Sequence, residues 1–255
     1  AAGADINAYA KNGNTPLHQA VADEKAEIVE LLIKKGADIN KQATAPSSTK
    51  RTALLMAFLK DYSENMENIL ELLIENGSDL KVCDGCECQT PTHRGVYWSY
   101  KSGSMKILSM LLDRGSDIEQ KDRFDLTPLH HAAMSGSLEI FEFLISRGAK
   151  VDPNGTLLHS AVWSDSSEMI KEVLRRGVNI DAKKDGDTAL HFAIKNDSFE
   201  SARLLIQNGA DIESKDMHGQ TPLQISMSWG SSYETSSMLI SEGAQKEEPY
   251  CPQDD

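Results

Sequence analysis

The stretch that decides the fold lies in the middle of the chain and reads Asp125-Leu126-Thr127-Pro128-Leu129-His130-His131-Ala132-Ala133. The Thr127 hydroxyl is suited to cap a helix, and Pro128 then takes the first helical position, where its missing N–H costs nothing. A second apolar run over residues 139–145 ends before Gly148, a residue that readily adopts the left-handed conformation found after helices. The stretch therefore predicts a short helix, a turn at Gly136, a longer helix and a glycine stop.

This pattern returns along nearly the whole chain, and its recurrence predicts a repeat architecture. The Thr-Pro-Leu-His core, intact or substituted, begins at Thr15, Thr52, Thr90, Thr127, Thr156, Thr188 and Thr221. The glycine stop recurs at Gly36, Gly77, Gly115, Gly148, Gly177, Gly209 and Gly243. One such pair of helices cannot bury its apolar face alone, so neighbouring pairs are expected to stack.

The recurring pattern resembles the ankyrin repeat family, whose mark is Thr-Pro-Leu-His-x-Ala at a period of about 33 residues. The resemblance implies an all-α ankyrin-repeat solenoid, built of helix-turn-helix repeats with β-hairpin fingers. We expect one ankyrin-repeat domain over residues 1–245, with repeats at about 8–40, 41–80, 81–119, 120–151, 152–181, 182–213 and 214–245. Residues 1–7 match the end of a preceding repeat, so we expect a piece of a longer protein, with a flexible tail over 246–255.

Three repeats depart from the regular pattern. The second has a longer polar finger over residues 41–51, and the third has a cysteine-rich finger and a helix join that we expect to be stretched through residues 97–104. The fifth leaves few residues before Thr156, which predicts a clipped hairpin. Insertions in solenoids fall in loops, often on the binding face.

The charge of the chain narrows the class of partner. A net charge of −13 argues against nucleic acid or an anionic membrane surface. A partner protein with a basic and apolar surface fits this charge, although an acidic surface also serves solubility alone. The sequence has no run of about 18 apolar residues and no signal-peptide pattern, so we expect no membrane span. We expect a monomer in the cytoplasm, with the nucleus or the cytoplasm of a host cell as alternatives.

The family resemblance also implies where a partner docks, since ankyrin repeats usually bind through finger tips and inner-helix ends on the concave side. Among the positions that the resemblance selects in each repeat, we take twelve residues as the candidates: Glu87, Tyr97, Trp98, Arg123, Phe124, Leu126, Met134, Trp163, Asp187, Met217, His218 and Trp229. The only three tryptophans of the chain all fall at inner-helix ends, where scaffold packing does not require them. Tryptophan is a favoured interface anchor because it buries much area with few rotors.

Two interpretations of these aromatic residues stay open. In the first, they form an apolar binding patch over the third to fifth repeats, with Arg123, Glu87 and Asp187 setting its polarity. In the second, the large side chains fill the space left by the clipped fifth finger, or pack beneath the insertion of the third repeat. Trp229 has a further alternative, which is to cover the end of the array.

The cysteines and histidines offer little chemistry. Cys83, Cys86 and Cys88 have one zinc-like spacing, but the sequence shows no clear fourth ligand. We predict no metal and no cofactor, and keep a zinc-stabilised third finger and redox chemistry as alternatives to a plain polar finger. Five histidines share one repeat position, which indicates a scaffold role: His18, His93, His130, His159 and His191.

These observations favour a non-catalytic scaffold or adaptor that binds another protein. No Ser–His–Asp arrangement, paired carboxylates or phosphate-binding glycine loop is recognisable, so we predict that the chain is not an enzyme. The alternatives are a targeting module of a larger enzyme, toxin or host-directed effector, and an adaptor with a metal-stabilised third finger.

Overall fold

The computed structural model describes residues 3–44, 51–83, 88–228 and 233–245. Within these ranges the chain forms seven successive pairs of helices and one short hairpin. The helices are α1 (Pro16–Ala22), α2 (Ala26–Lys34), α3 (Ala53–Phe58), α4 (Glu64–Glu75), α5 (Pro91–Ser102), α6 (Lys106–Asp113), α7 (Pro128–Ser135), α8 (Leu138–Ser146), α9 (Leu157–Trp163), α10 (Ser167–Arg175), α11 (Ala189–Lys195), α12 (Phe199–Gln207), α13 (Pro222–Ser228) and α14 (Tyr233–Ser241). The strands β1 (Lys183–Lys184) and β2 (Asp187–Thr188) pair antiparallel, with Lys183 opposite Thr188. No helix of the described ranges has the length and apolar character needed to cross a membrane.

Four inner helices, α1, α5, α7 and α11, begin at a cap in which a threonine is hydrogen-bonded to the histidine three residues later. Thr15 has an extended backbone, its N–H donates to His18 Nδ1 at 3.4 Å, and its hydroxyl lies 2.8 Å from the same nitrogen. The His18 Nε2 atom bonds to the Arg51 carbonyl at 3.0 Å. A carbonyl only accepts, so Nε2 carries the hydrogen and Nδ1 keeps the lone pair that receives the threonine N–H. The repeated histidine therefore ties its own cap to the finger of the next repeat.

The outer helix α8 ends in the way that the sequence predicts. Gly148 has φ +97°, and its N–H donates to the Ile145 carbonyl at 2.9 Å. The Ala149 N–H then donates to the Leu144 carbonyl at 3.0 Å. These bonds satisfy carbonyls at the end of a helix that would otherwise lack partners.

The chain divides into two compact units. The N-terminal compact unit comprises Ala1–His131 with Glu142–Ala149, and the C-terminal compact unit comprises Ala132–Phe141 with Lys150–Asp255. Each has its own core of fully buried side chains. Among those of the N-terminal unit are Leu17, Val21, Leu70, Trp98 and Leu111. Among those of the C-terminal unit are Phe141, Leu158, Ile170, Leu190 and Leu205.

The helix join of the third repeat differs from the prediction. Helix α5 continues to Ser102 and ends at Gly103, whose φ is +68°, so most of the residues predicted to stretch the join are helical. The adjoining helix α6 packs closely against it. A Cβ at Gly95 would lie 2.8 Å from Leu111 Cδ1, which explains why glycine replaces the usual alanine at this position.

The fifth repeat lacks a full finger, in agreement with the short spacing. Thr156 lies eight residues after Gly148, whereas Thr127 lies twelve after Gly115. The short loop closes through the Gly155 N–H, which donates to the Asp152 carbonyl at 3.1 Å. Thr156 has φ −92° and ψ 14° in place of an extended backbone, and its side chain makes no capping bond to α9.

Candidate partner-binding surfaces

The fourth finger is a closed turn organised by Asp122. One carboxylate oxygen of Asp122 accepts the N–H groups of Phe124 at 2.8 Å and Leu126 at 3.0 Å. The other lies 2.9 Å from His131 Nε2. Burial raises the pKa of Asp122, but the bonds from His131 and the two backbone amides outweigh it and hold that pKa below its usual value. The finger therefore presents a fixed tip.

The tip of this finger carries two of the predicted binding residues. Phe124 is 50% exposed, and Arg123 is exposed with its guanidinium carbon 4.4 Å from the Phe124 ring centroid. Asp125 takes φ +63° and binds Lys121 Nζ at 2.7 Å. The Phe124 ring therefore lies at the surface beside a cation and is not part of the core.

A second exposed aromatic surface lies on α5. Tyr97 is 52% exposed, and Lys101 Nζ lies 5.5 Å from its ring centroid and 5.9 Å from that of Tyr100. Tyr100 was not selected from the sequence. Tyr100 lies three residues after Tyr97, so both rings lie on one side of the helix. The sequence would have indicated Tyr100 as well if α5 had been predicted to continue to Ser102.

Trp98 and Leu126 are corrections to the sequence prediction. Trp98 is only 2% exposed and packs edge-on against Phe58 and Tyr62, with centroid distances of 6.3 and 5.5 Å. Because α5 is longer than expected, the residue after outward-facing Tyr97 turns into the core. Leu126 is also buried, and its carbonyl accepts bonds from Asp122 N–H and His93 Nε2. Neither side chain is placed to meet a partner.

In the C-terminal compact unit, the exposed aromatic residue is Trp163 at the end of α9. It is 60% exposed, and its ring lies 6.0 Å from the half-buried Phe192 ring at an interplanar angle of 30°. Phe192 also meets His159 edge-on at 6.2 Å. The sequence selected Trp163 but not Phe192, which occupies a position inside an inner helix.

The sixth and seventh fingers share one cation. Lys195 Nζ lies 2.8 Å from both carboxylate oxygens of Asp187 and 3.4 Å from Asp216 Oδ2. Burial raises the pKa of Asp216, but amide bonds from Gln220 and His218 together with Lys195 hold it below its usual value. Asp187 is therefore already bound, which limits its role in a partner contact.

The other candidates have varied settings. Met217 and His218 are exposed at the seventh finger, and Met134 is half-buried. Met227, which the sequence did not select, is also exposed. Glu87 and Trp229 lie outside the described residues.

No metal centre is built around the described cysteines. Cys83 is half-buried and Cys88 is exposed, while Cys86 lies outside the described residues, so the zinc alternative stays a prediction. The described residues bring together a different set of ligand types, His93, Asp122 and His131, with ligand atoms within 4.8 Å of one another.

Hydrogen bonds explain this cluster without a metal. His93 Nε2 donates to the Leu126 carbonyl at 3.0 Å, and Nδ1 accepts the Thr90 N–H at 3.2 Å, so no lone pair is left for an ion. Burial is the main reason why the pKa of His93 falls to about 4. The ring is therefore neutral and held as part of the scaffold.

Comparison with known proteins identifies the family. The family model for ankyrin repeats matches residues 2–84, 96–184 and 158–249, and the chain belongs to the ankyrin repeat family. The chain is 28% identical over 193 residues to a transient receptor potential cation channel subfamily A member 1 homolog of Caenorhabditis elegans, covering 72% of this chain and 14% of that protein. It is 31% identical over 150 residues to the putative ankyrin repeat protein FPV014 of fowlpox virus, covering 58% of this chain and 31% of that protein. The aligned part is thus less than a third of either relative.

Solved structures agree with this assignment. The ankyrin repeat domain of human ASB11 matches with a TM-score of 0.72 at 23% identity, over 92% of this chain and all of that one. The ankyrin repeat domain of Bcl-3, described as a unique member of the IkappaB protein family, matches with a TM-score of 0.62 at 27% identity, over 90% and 100%. The predicted all-α ankyrin solenoid is confirmed. Domains of this family are in general non-catalytic modules for protein–protein interaction.

Proposed function

We propose that this chain is a non-catalytic scaffold that binds a partner protein through its finger tips and inner-helix ends, the surface predicted to be concave. One observation carries the proposal. Tyr97, Phe124 and Trp163 are each at least half exposed, and all three occupy positions at which ankyrin repeats meet their partners. Single exposed apolar residues are common, but large aromatic rings at the finger tip or inner-helix end of three successive repeats favour an interface.

Rigid presentation is the mechanism we propose. The Asp122 bonds hold the Phe124 finger before a partner arrives, and Asp216 holds the seventh finger in the same way. A preordered surface loses less conformational entropy on binding, so modest contacts at several repeats suffice for a stable complex.

The net charge extends the proposal to the class of partner. At −13, the chain favours a partner with basic as well as apolar surface, and disfavours nucleic acid and anionic membranes. We propose an adaptor role in the cytoplasm, with the protein acting as a monomer.

Capture from a native lysate tests the proposal. Phe124→Ala combined with Trp163→Ala removes an aromatic anchor from each compact unit, and we expect captured partners to fall at least tenfold. Leu31→Ala is the matched control, because Leu31 is 55% exposed but lies on an outer helix, and it is expected to leave capture unchanged. Circular dichroism and thermal unfolding check that all variants are folded. If the double variant captures the same proteins in the same amounts, these aromatic residues are not the binding surface.

A further inference from the structure

We propose that the place of the missing fifth finger is the seat of an extended segment of the partner protein. In this seat the segment gives a hydrogen bond to His159 and lays an apolar side chain against Trp163. The proposal rests on the proposed function and specifies what kind of chain the partner presents.

The fifth repeat leaves room for such a segment. Its loop is four residues shorter than that of the fourth repeat, and no strand pairing is formed there among the described residues. Asp152, Pro153 and Asn154 of this loop are all exposed. The Asn179 N–H donates to the Pro153 carbonyl at 2.7 Å, so a shift of the loop costs this bond but little packing.

Among the repeated histidines in the described part of the chain, His159 alone has a buried ring nitrogen without a hydrogen-bond partner. The residue is 5% exposed, and its Nε2 donates to the Asp187 carbonyl at 3.0 Å, which leaves the lone pair on Nδ1. Desolvation lowers the pKa of His159, so the ring is neutral and Nδ1 is an acceptor. A buried acceptor without a donor costs free energy, which an incoming donor would recover.

Complete repeats show which donor fits this position. The Thr90 N–H donates to His93 Nδ1 at 3.2 Å, and the Thr188 N–H donates to His191 Nδ1 at the same distance. In both cases the threonine has an extended backbone at the base of its finger. Thr156 does not adopt this conformation, so the fitting occupant is extended peptide with a free backbone N–H.

An apolar anchor lies next to the unpartnered nitrogen. Trp163 follows His159 by one helical turn on α9, so the two side chains lie on one side of the helix. Both rings contact Phe192, at 6.0 Å from Trp163 and 6.2 Å from His159. A segment that reaches His159 therefore meets the exposed Trp163 ring as it leaves the seat.

Charge adds a further requirement for the segment. Strand β1 consists of two lysines. The charge of Lys184 lowers the pKa of His159 and is the strongest effect of a charged side chain on that ring. Asp187 and Asp185 raise the pKa of His159, but Asp187 is already bound by Lys195. An acidic residue in the segment therefore finds a cation at Lys184. The partner segment combines extended backbone, one apolar side chain and one acidic side chain.

A synthetic peptide with the sequence of residues 120–128 of this chain is the probe. It contains a complete finger, with Phe124, two aspartates and Thr127, whose N–H serves His130 Nδ1 at 3.2 Å in the folded chain. We expect saturable binding by calorimetry, and a shift of the His159 Nδ1 resonance that reports a new hydrogen bond. Trp163→Ala is expected to weaken binding at least tenfold, while Tyr233→Ala, which removes an exposed aromatic residue from the outer helix α14, leaves it unchanged.

A repaired finger gives the complementary experiment. Replacing residues 149–155 with residues 116–126 restores the twelve-residue spacing, and the grafted finger is expected to occupy the seat and weaken peptide binding at least tenfold. Equal binding to the repaired protein, or no saturable binding and no Nδ1 shift in the original, overturns the proposal. If the grafted protein does not fold, peptide binding to the original chain and to Trp163→Ala still tests the proposed seat. If partners are captured normally from lysate but the peptide neither binds saturably nor shifts the His159 Nδ1 resonance, the proposed function is retained and this seat is rejected.

Discussion

The neutral, buried His93 predicts a loss of stability in mild acid. Its pKa falls from 6.5 in the unfolded chain to about 4 in the folded protein, chiefly because burial disfavours the charged ring. The unfolded chain therefore takes up the proton first, and acid favours unfolding. The stabilisation is complete above pH 6.5 and is lost as the pH falls from 6.5 towards 4. The difference between the unfolded-state and folded-state pKa corresponds to about 3 kcal/mol in the free energy of unfolding. About 2.5 kcal/mol of this stabilisation is lost by pH 4.5.

The chain itself supplies the matched variant for this measurement. In the seventh repeat, Gln224 stands at the histidine position, and its side-chain oxygen accepts the Thr221 N–H at 2.9 Å. His93→Gln is therefore expected to keep the cap while removing the titration. Burial also lowers the pKa of His18, His159 and His191, but these residues titrate in both proteins and cancel in the difference.

Urea unfolding at pH 7.0 and pH 4.5 measures the effect. The wild-type free energy of unfolding should fall by about 2.5 kcal/mol more than that of His93→Gln between these values. An NMR titration of the His93 ring measures the pKa directly. An equal fall in both proteins, or a ring that titrates near 6.5 in the folded state, would refute the reasoning.

Three further predictions concern packing and charge. Trp98→Ala should lower the free energy of unfolding by about 3–5 kcal/mol, and Trp98→Phe by less, as measured in urea. Gly186→Ala should cost at least about 2 kcal/mol more than Gly219→Ala, because φ is positive at both glycines but only at Gly186 would the new Cβ lie 2.6 Å from a neighbouring side chain. Lys195→Met should raise the pKa of Asp216 in an NMR titration and weaken stability at neutral pH, since a stabilising cation is lost; an unchanged Asp216 pKa would show that the amide bonds alone hold the carboxylate.

The scaffold could be predicted because its causes are local. A cap such as Thr15 with His18 needs only residues that lie close in sequence, and the Gly148 stop depends on one backbone conformation. Both signals recur in each repeat and reinforce one another. The short fifth finger could be predicted for the same reason, since spacing is visible in the sequence.

The exposure of single side chains could not be predicted as well, because it depends on where a helix ends. The choice between Tyr97 and Trp98 is a difference of one residue, and the unexpected length of α5 decided it. The bonds of Lys195 to Asp187 and Asp216 join residues of two fingers, and no local pattern encodes them. The unpartnered His159 nitrogen likewise depends on the backbone of Thr156, which a spacing argument does not supply.

The bonds from histidine to the next finger give the array a direction. His18 reaches forward to Arg51, His93 to Leu126, His159 to Asp187 and His191 to Gln220, always towards the C-terminus. Cutting away a preceding repeat frees only a backbone carbonyl, which water can solvate. Cutting away a following repeat instead removes the acceptor of the N–H on a histidine ring that is buried in the intact chain. Shortening from the C-terminal side should therefore be the more damaging operation, and protein engineers who trim or splice such arrays should place each join after a repeat that, like the seventh, carries glutamine at this position.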